Sequence, residues 1–413
     1  MLPHTPEHPV ACRTAMHFAS PASMIGIGIV AVAATLQAVA AASEPAQAEG
    51  DGLTVAVRTV DEPNPESPPL YVADPGGGDP FSTCTTSAVG CLDTAGGCPP
   101  RWFASTSGLV MTRTLPSGVP VSLGPGGGVA LTTADASANW PGGVDLRLGG
   151  WLGPQQRHGV EAIYWGLYNI GTAAEAGGGG LNAIPALAGS ITVAGTPATN
   201  FFTNASEQQI ARNDLVNDVE INWLYSVGRH PELLDEDHRL SWLWLAGFRF
   251  FQLEDTLTLQ SPFDSGNPLS LAVTSNNLLF GGQVGSRLDW RFAPRLRLAA
   301  VPKIMLAGNA VTNTSVMATE SGTPAAFASG APVNVRTTGS SFAYLGSVDG
   351  LIAWDVTTRW SLWIGYRVVG VGNIMQSDAI WPTTITSPDS LTAIDTGGET
   401  VIHGGFAGFE GRY

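Results

Sequence analysis

The sequence predicts an all-β chain: a transmembrane up-and-down antiparallel β-barrel of about ten strands, with eight to twelve as the range. Three observations carry this. From Arg101 onward, apolar and polar residues alternate with a period of two. The spacers between the alternating segments are in turn long and short. Charged residues make up only 13% of the 413, against roughly 25% in ordinary soluble domains.

Hydrophobic residues stand at 44%. Beyond the N-terminal region, however, no apolar run approaches the ~18–20 residues that a membrane helix needs. The 51 glycines and 29 prolines supply turns and argue against helices. A net charge of −15 speaks against nucleic acid as a partner, because phosphate binding needs a basic face.

The alternation is clearest where Val219, Ile221, Trp223 and Tyr225 share one face and Asp218, Glu220 and Asn222 the other. Val144, Leu146 and Leu148 oppose Asp145 and Arg147 in the same way. Val284, Leu288 and Trp290 oppose Gln283, Arg287 and Asp289. Trp360, Leu362, Ile364 and Tyr366 oppose Ser361 and Arg367. Ten strands result, centred on Ser107, Leu148, Tyr164, Glu220, Leu245, Gln283, Ala300, Val348, Ile364 and Ala407. Two segments fit less well. Glu161 shares parity with Ile163, Trp165 and Leu167, which leaves its facing open. Pro302 interrupts a strand that has no free edge to hide it, so a β-bulge is the expected repair.

Long spacers fall at 114–141, 170–212, 256–275, 308–338 and 374–398, and short ones at 154–158, 229–238, 293–294 and 356–358. Bacterial outer-membrane barrels have this signature of short periplasmic turns, long outer loops and an even strand count. It places both ends of the barrel in the periplasm. Trp102, Trp151, Trp223, Trp242, Trp244, Trp290, Trp354, Trp360 and Trp363 gather near the short-turn ends, as membrane-interface residues do.

Residues 1–42 read as a signal peptide. Met24–Ala42 is apolar and small, and Ala40, Ala41 and Ala42 offer a cleavage site, although Arg13 is the only basic residue ahead of it. An uncleaved anchor is the rival reading. Residues 43–100 are rich in Pro, Gly, Asp and Glu, which suggests a flexible acidic periplasmic segment. Cys84, Cys91 and Cys98 lie in it at spacings unlike those of zinc sites. They read as loop cysteines, with one disulfide and a spare thiol as the alternative. The barrel then occupies residues 101–413.

At these strands the sequence resembles a known family. The stretch Gly149-Gly150-Trp151-Leu152-Gly153-Pro154-Gln155-Gln156-Arg157-His158-Gly159-Val160-Glu161, followed by Tyr164-Trp165-Gly166-Leu167, is similar to the second hairpin of the bacterial outer-membrane beta-barrel porin family, BBP type seven. Trp244–Phe251, Asn276–Gly285 and His403–Tyr413 fit the same family in order. The resemblance spans roughly Arg101 to Tyr413. It implies outer-membrane location and insertion by the barrel-assembly machinery, which reads Phe409 and Tyr413 as the closing signal. It implies neither a substrate nor catalytic residues.

With the apolar parity facing outer-membrane lipid, the other parity lines the lumen. That set is Arg147, Asp218, Glu220, Asn222, Arg249, Gln283, Arg287, Asp289, Arg297, Lys303, Asp349, Arg367, Glu410 and Arg412. Mixed charges either line a narrow aqueous path or pair across the lumen and plug it. Barrels near eight strands are filled by side chains, and wide channels need about sixteen. The function expected is therefore a porin-like barrel passing small solutes or ions, the alternative being a non-conducting structural or surface-recognition barrel. A hydrolase would need a nucleophile–base or carboxylate cluster at the outer rim. His403 has the lipid-facing parity of Phe409 and Tyr413, while His158, His230 and His238 sit by short turns. The acids assigned to outer loops, Asp255, Asp264 and Asp378, read as solvated. No cofactor, metal or catalytic residue is expected.

Overall fold

The computed structural model describes residues 101–153, 156–227, 239–262 and 267–413. The proposed signal peptide, the 43–100 segment and Cys12, Cys84, Cys91 and Cys98 lie outside the described residues, as do Asp264, His230 and His238.

Ten antiparallel strands form a closed ring. They are β1 (Trp102–Arg113), β2 (Gly142–Leu152), β3 (His158–Ile170), β4 (Ala205–Val227), β5 (Leu240–Ser261), β6 (Leu269–Ala293), β7 (Leu296–Thr319), β8 (Asn334–Asp355), β9 (Trp360–Ile374) and β10 (Gly398–Arg412). Each pairs with its sequence neighbours, and β10 closes on β1 from Phe103↔Arg412 to Arg113↔Ile402. Tyr413 completes the seam, donating its N–H to the Trp102 carbonyl at 2.8 Å and accepting from the Arg101 N–H at 2.7 Å. Every predicted strand centre falls inside one of these strands.

The outer surface carries an apolar belt. Ile221, Phe248, Phe280, Ile304, Phe342 and Ile364 are exposed there, bordered towards the short turns by Trp102, Trp223, Trp242, Trp244, Trp290, Trp354 and Trp360. Trp151 and Trp363 depart from the expected belt. They are buried inside the barrel, because each stands on the inward parity of its strand. Glu161 also points inward, together with Ile163, Trp165 and Leu167, so the lumen takes apolar side chains as well as charged ones.

The strands are longer than expected. β5, β6 and β7 run 22, 25 and 24 residues, whereas about 9–11 suffice to cross a bilayer. The spacers expected at 256–275 and 308–338 accordingly contract to 262–268 and 320–333. The cause is visible on the outward face. Along β5 it passes from Trp242, Trp244 and Phe248 to Gln252, Glu254, Thr256 and Thr258, while Leu253, Leu257 and Leu259 continue inward. Where the outside turns from apolar to polar, the strand leaves the bilayer without ending.

No bulge accommodates Pro302. The β6–β7 register is the same at Gly285↔Lys303 and at Leu288↔Ala300, and the ladder omits Ser286 and Arg287 in between. Proline has no N–H to donate, so the bonding is interrupted while the strand stays in step.

Beyond the barrel's long-loop end, short strands at 120–123, 129–132 and 173–183 extend the sheet from the top of β4. These loops fold over the mouth. Val121, Ile191, Phe202, Ile380, Trp381 and Leu391 pack with the inward residues Leu257, Leu271, Val273 and Met317 into one buried core. Close approach inside the barrel also constrains small residues: the Phe103 ring lies where a Cβ on Gly149 would sit.

Candidate functional site: the charged and filled lumen

The inward parity gathers three sets of ionic groups. At the short-turn end, the Arg287 Nε and Nη2 donate to Asp289 at 2.8 and 3.0 Å, and Arg297 Nη1 reaches the same carboxylate at 3.4 Å. Arg412 Nε donates to Glu410 at 2.8 Å. Asp355 accepts from Arg291 at 3.2 Å and faces Arg297 and Arg412 at 3.4 and 3.7 Å.

Farther in, Lys303 Nζ donates to both Glu220 oxygens, at 2.9 and 2.8 Å. Gln283 Nε2 donates to Glu220 at 2.9 Å and to the Asn222 carbonyl oxygen at 2.6 Å, and Asn222 donates to Glu161 at 3.1 Å. Arg249 Nε donates to Asp218 at 2.6 Å. Arg367 grips Asp349 through two bonds of 2.8 and 2.9 Å, meets Asp145 at 2.8 Å and stacks over Trp165 and Phe406 at 5.2 and 5.6 Å.

The third set lies at the long-loop end. Arg113 pairs with Asp214 at 2.7 Å and Asp255 at 3.1 Å. Arg212 donates to Asp255 at 2.7 Å and to both oxygens of Asp378 at 2.8 and 2.9 Å. Asp255 and Asp378 are thus buried ionic anchors, not the solvated loop acids that the sequence suggested. The reason is that Asp255 lies within the elongated β5, and the 375–397 segment turns inward. That segment is held further by Met375 N–H to Asn277 at 2.8 Å, Ser377 N–H to Asp255 at 3.1 Å and Asn313 Nδ2 to the Ala393 carbonyl at 2.8 Å.

Of the residues singled out from the sequence, Arg147, Asp218, Glu220, Asn222, Arg249, Gln283, Asp289, Arg297, Lys303, Asp349, Arg367, Glu410 and Arg412 are buried on the inner face. Arg287 is there too but half-buried. Arg113, Asp145, Glu161, Arg212, Asp214 and Asp355 complete the networks. Arg212 and Asp214 share the parity of Asp218 and Glu220, so continuing the alternation upstream would have found them. Phe409 and Tyr413 stand exposed on the outer surface against Trp360.

Between the ion pairs the lumen is packed with Met111, Trp165, Phe251, Leu279, Met305, Leu345 and Phe406. Trp165, Arg249 and Phe251 are each less than 2% exposed. Burying charges costs several kcal/mol per ion unless pairing and further hydrogen bonds repay it.

Residues 108–397 match the family Putative beta barrel porin-7 (BBP7). The chain belongs to that family. Family and fold together make this BBP7 chain a porin-like outer-membrane β-barrel. No curated protein matches it in sequence. It is similar to the solved outer membrane protease OmpT from Escherichia coli, with 12% identity and a TM-score of 0.42 over 78% of this chain and 99% of that one. It is similar also to a major outer membrane protein from Thermus thermophilus (10%, TM-score 0.28, 76% and 98% covered). For the Ralstonia pickettii toluene transporter TbuX the values are 10%, 0.25, 76% and 90%.

Proposed function

We propose that this BBP7 barrel is closed in the conformation described and serves as a rigid outer-membrane support for the folded cap at its outer end. The observation that carries the reading is the solvent exclusion of Trp165, Arg249 and Phe251 in mid-lumen. Transport needs a continuous wet path, and side chains fill small barrels readily. The inner ion pairs then act as struts that fix strand order, and the cap core offers a surface for recognition. Enzymatic activity does not fit: the described histidines, His158 and His403, sit on the outer surface beside Trp223, Tyr225 and Tyr366. The buried carboxylates Asp214 and Asp255 are held by arginines.

A second reading, a channel for small solutes or ions, is favoured by the family's designation and by the charged periplasmic end of the lumen. It requires displacement of the Arg113–Asp214–Asp255–Arg212 crosspiece and of the 375–397 segment. Liposome swelling with refolded protein separates the two. Swelling indistinguishable from protein-free liposomes supports the closed barrel, and swelling that rises with protein dose supports the channel.

For biogenesis, the reading includes export of the chain, contact of the apolar belt with outer-membrane lipid and recognition of Phe409 and Tyr413 by the barrel-assembly machinery. Nucleic acid plays no part in it. Replacing Tyr413 by alanine should lower the yield of folded, membrane-inserted barrel; an unchanged yield would remove that role.

A further inference from the structure

Just inside the periplasmic mouth lies a cavity of about 40 Å³. Arg147, Arg287, Arg297, Lys303 and Arg412 stand on its wall, against two carboxylates, Glu161 and Glu410. The other acids nearby are shared: Asp289 serves both Arg287 and Arg297, and Asp355 serves Arg291, Arg297 and Arg412. Lys303 is matched by Glu220. Among the described residues, Arg147, Arg287, Arg291, Arg297 and Arg412 share the carboxylates Glu161, Asp289, Asp355 and Glu410 at this end. Asp145 and Asp349 both bind Arg367 and offset the fifth guanidinium in the described inner set, but neither stands on the cavity wall, where cations outnumber carboxylates.

Arg147 is the least well paired of these groups. Its side chain is 5% exposed, its ion pair with Glu161 is stretched to 3.9 Å, and its Nε has no hydrogen-bond acceptor. The guanidinium rests over the Trp363 ring at 5.7 Å, which compensates part of the charge but accepts none of those N–H bonds in full strength. Arg297 Nε is likewise without an acceptor. A buried donor left unmade is costly, more so when charged.

We propose that this cavity binds one small monovalent inorganic anion of the size of chloride, with Arg147 as its main donor. A water fills about 10–15 Å³ on the same measure, so the cavity takes a monatomic ion with a water or two and excludes phosphate esters. The anion supplies the missing acceptor in the cationic wall, and so ties β2 to the ionic set of the short-turn end.

The test uses the full chain, refolded in detergent and crystallised with sodium bromide. Anomalous density for one bromide within hydrogen-bonding reach of Arg147 is expected. Water alone at that place, bridging Arg147 and Asp145, would overturn the proposal. In solution, unfolding is compared in sodium chloride and in sodium gluconate at equal ionic strength. A saturable rise in unfolding temperature with chloride is expected, roughly 2–4 °C for a five-fold gain in the folded state. Arg147→Gln should abolish the chloride dependence and Arg147→Lys should retain it; equal curves in the two salts for the native chain would contradict the site. Should Arg147→Gln fail to fold, the bromide density and the native chloride response still decide. Neither readout depends on conduction, so this site and the closed barrel can fail separately.

Discussion

Lys303 on β7 donates to both carboxylate oxygens of Glu220 on β4, and β5 and β6 lie between the two strands in the wall. The bond therefore braces the barrel across its interior. Both side chains are nearly inaccessible, at 4% and 2% exposure. Lys303→Met should strand the Glu220 charge and destabilise the barrel by about 3–5 kcal/mol, measured by urea unfolding in detergent. Adding Glu220→Gln should recover most of that loss. A single Lys303→Met variant as stable as the native chain would mean that the charge is hydrated, and the lumen open, at this depth.

Ile221 and Asn222 are adjacent, yet one is 60% exposed and the other 1%. Ile221→Arg places a charge on the bilayer-facing side and should cost about 2–4 kcal/mol near the midplane. From the alternation alone, Asn222→Arg would be the mild change of the two, an arginine entering a wet lumen. In the packed interior Asn222 bonds Glu161 and Gln283, so Asn222→Arg should also impair folding, through crowding. Heat-modifiable gel mobility of both variants after refolding checks this; a fully folded Asn222→Arg protein would point to a looser lumen.

Arg212 joins wall to cap through Asp255 and Asp378. Arg212→Met should leave Asp378 unpaired, with Asp255 still held by Arg113, and loosen the 375–397 segment while the membrane-embedded ring persists. Limited proteolysis should then cut within that segment far faster than in the native chain. An unchanged digestion pattern would show that Asn277, Asn313 and Trp381 hold the segment without Arg212.

The ring itself was legible because two independent periodicities agreed: residues alternate along each strand, and spacers alternate between strands. The inner face from Asp218 to Asn222 followed from the same pattern. What escaped was the upper barrel, and the reason is physical. Above the bilayer the outward positions of β5 to β7 become Thr, Asn, Ser and Gln, so a search for apolar alternation stops while the ladder continues. Arg212 fell in an expected long spacer, and Arg113, Asp214 and Asp255 sat at the very ends of expected strands, where the alternation was not followed. Trp151 and Trp363 were misplaced for a different reason: they share the parity of Arg147 and of Ser361 and Arg367, but were grouped by closeness to a strand end and not by parity. The filling of the lumen needed the structure, since parity states which side chains point inward but not whether they meet.

The central claim is that these side chains meet. Single-channel recording in planar bilayers tests it most directly, on refolded chain whose gel mobility shows it to be folded. The closed barrel predicts a flat current after many insertions, whereas reproducible unitary steps of one size would contradict it.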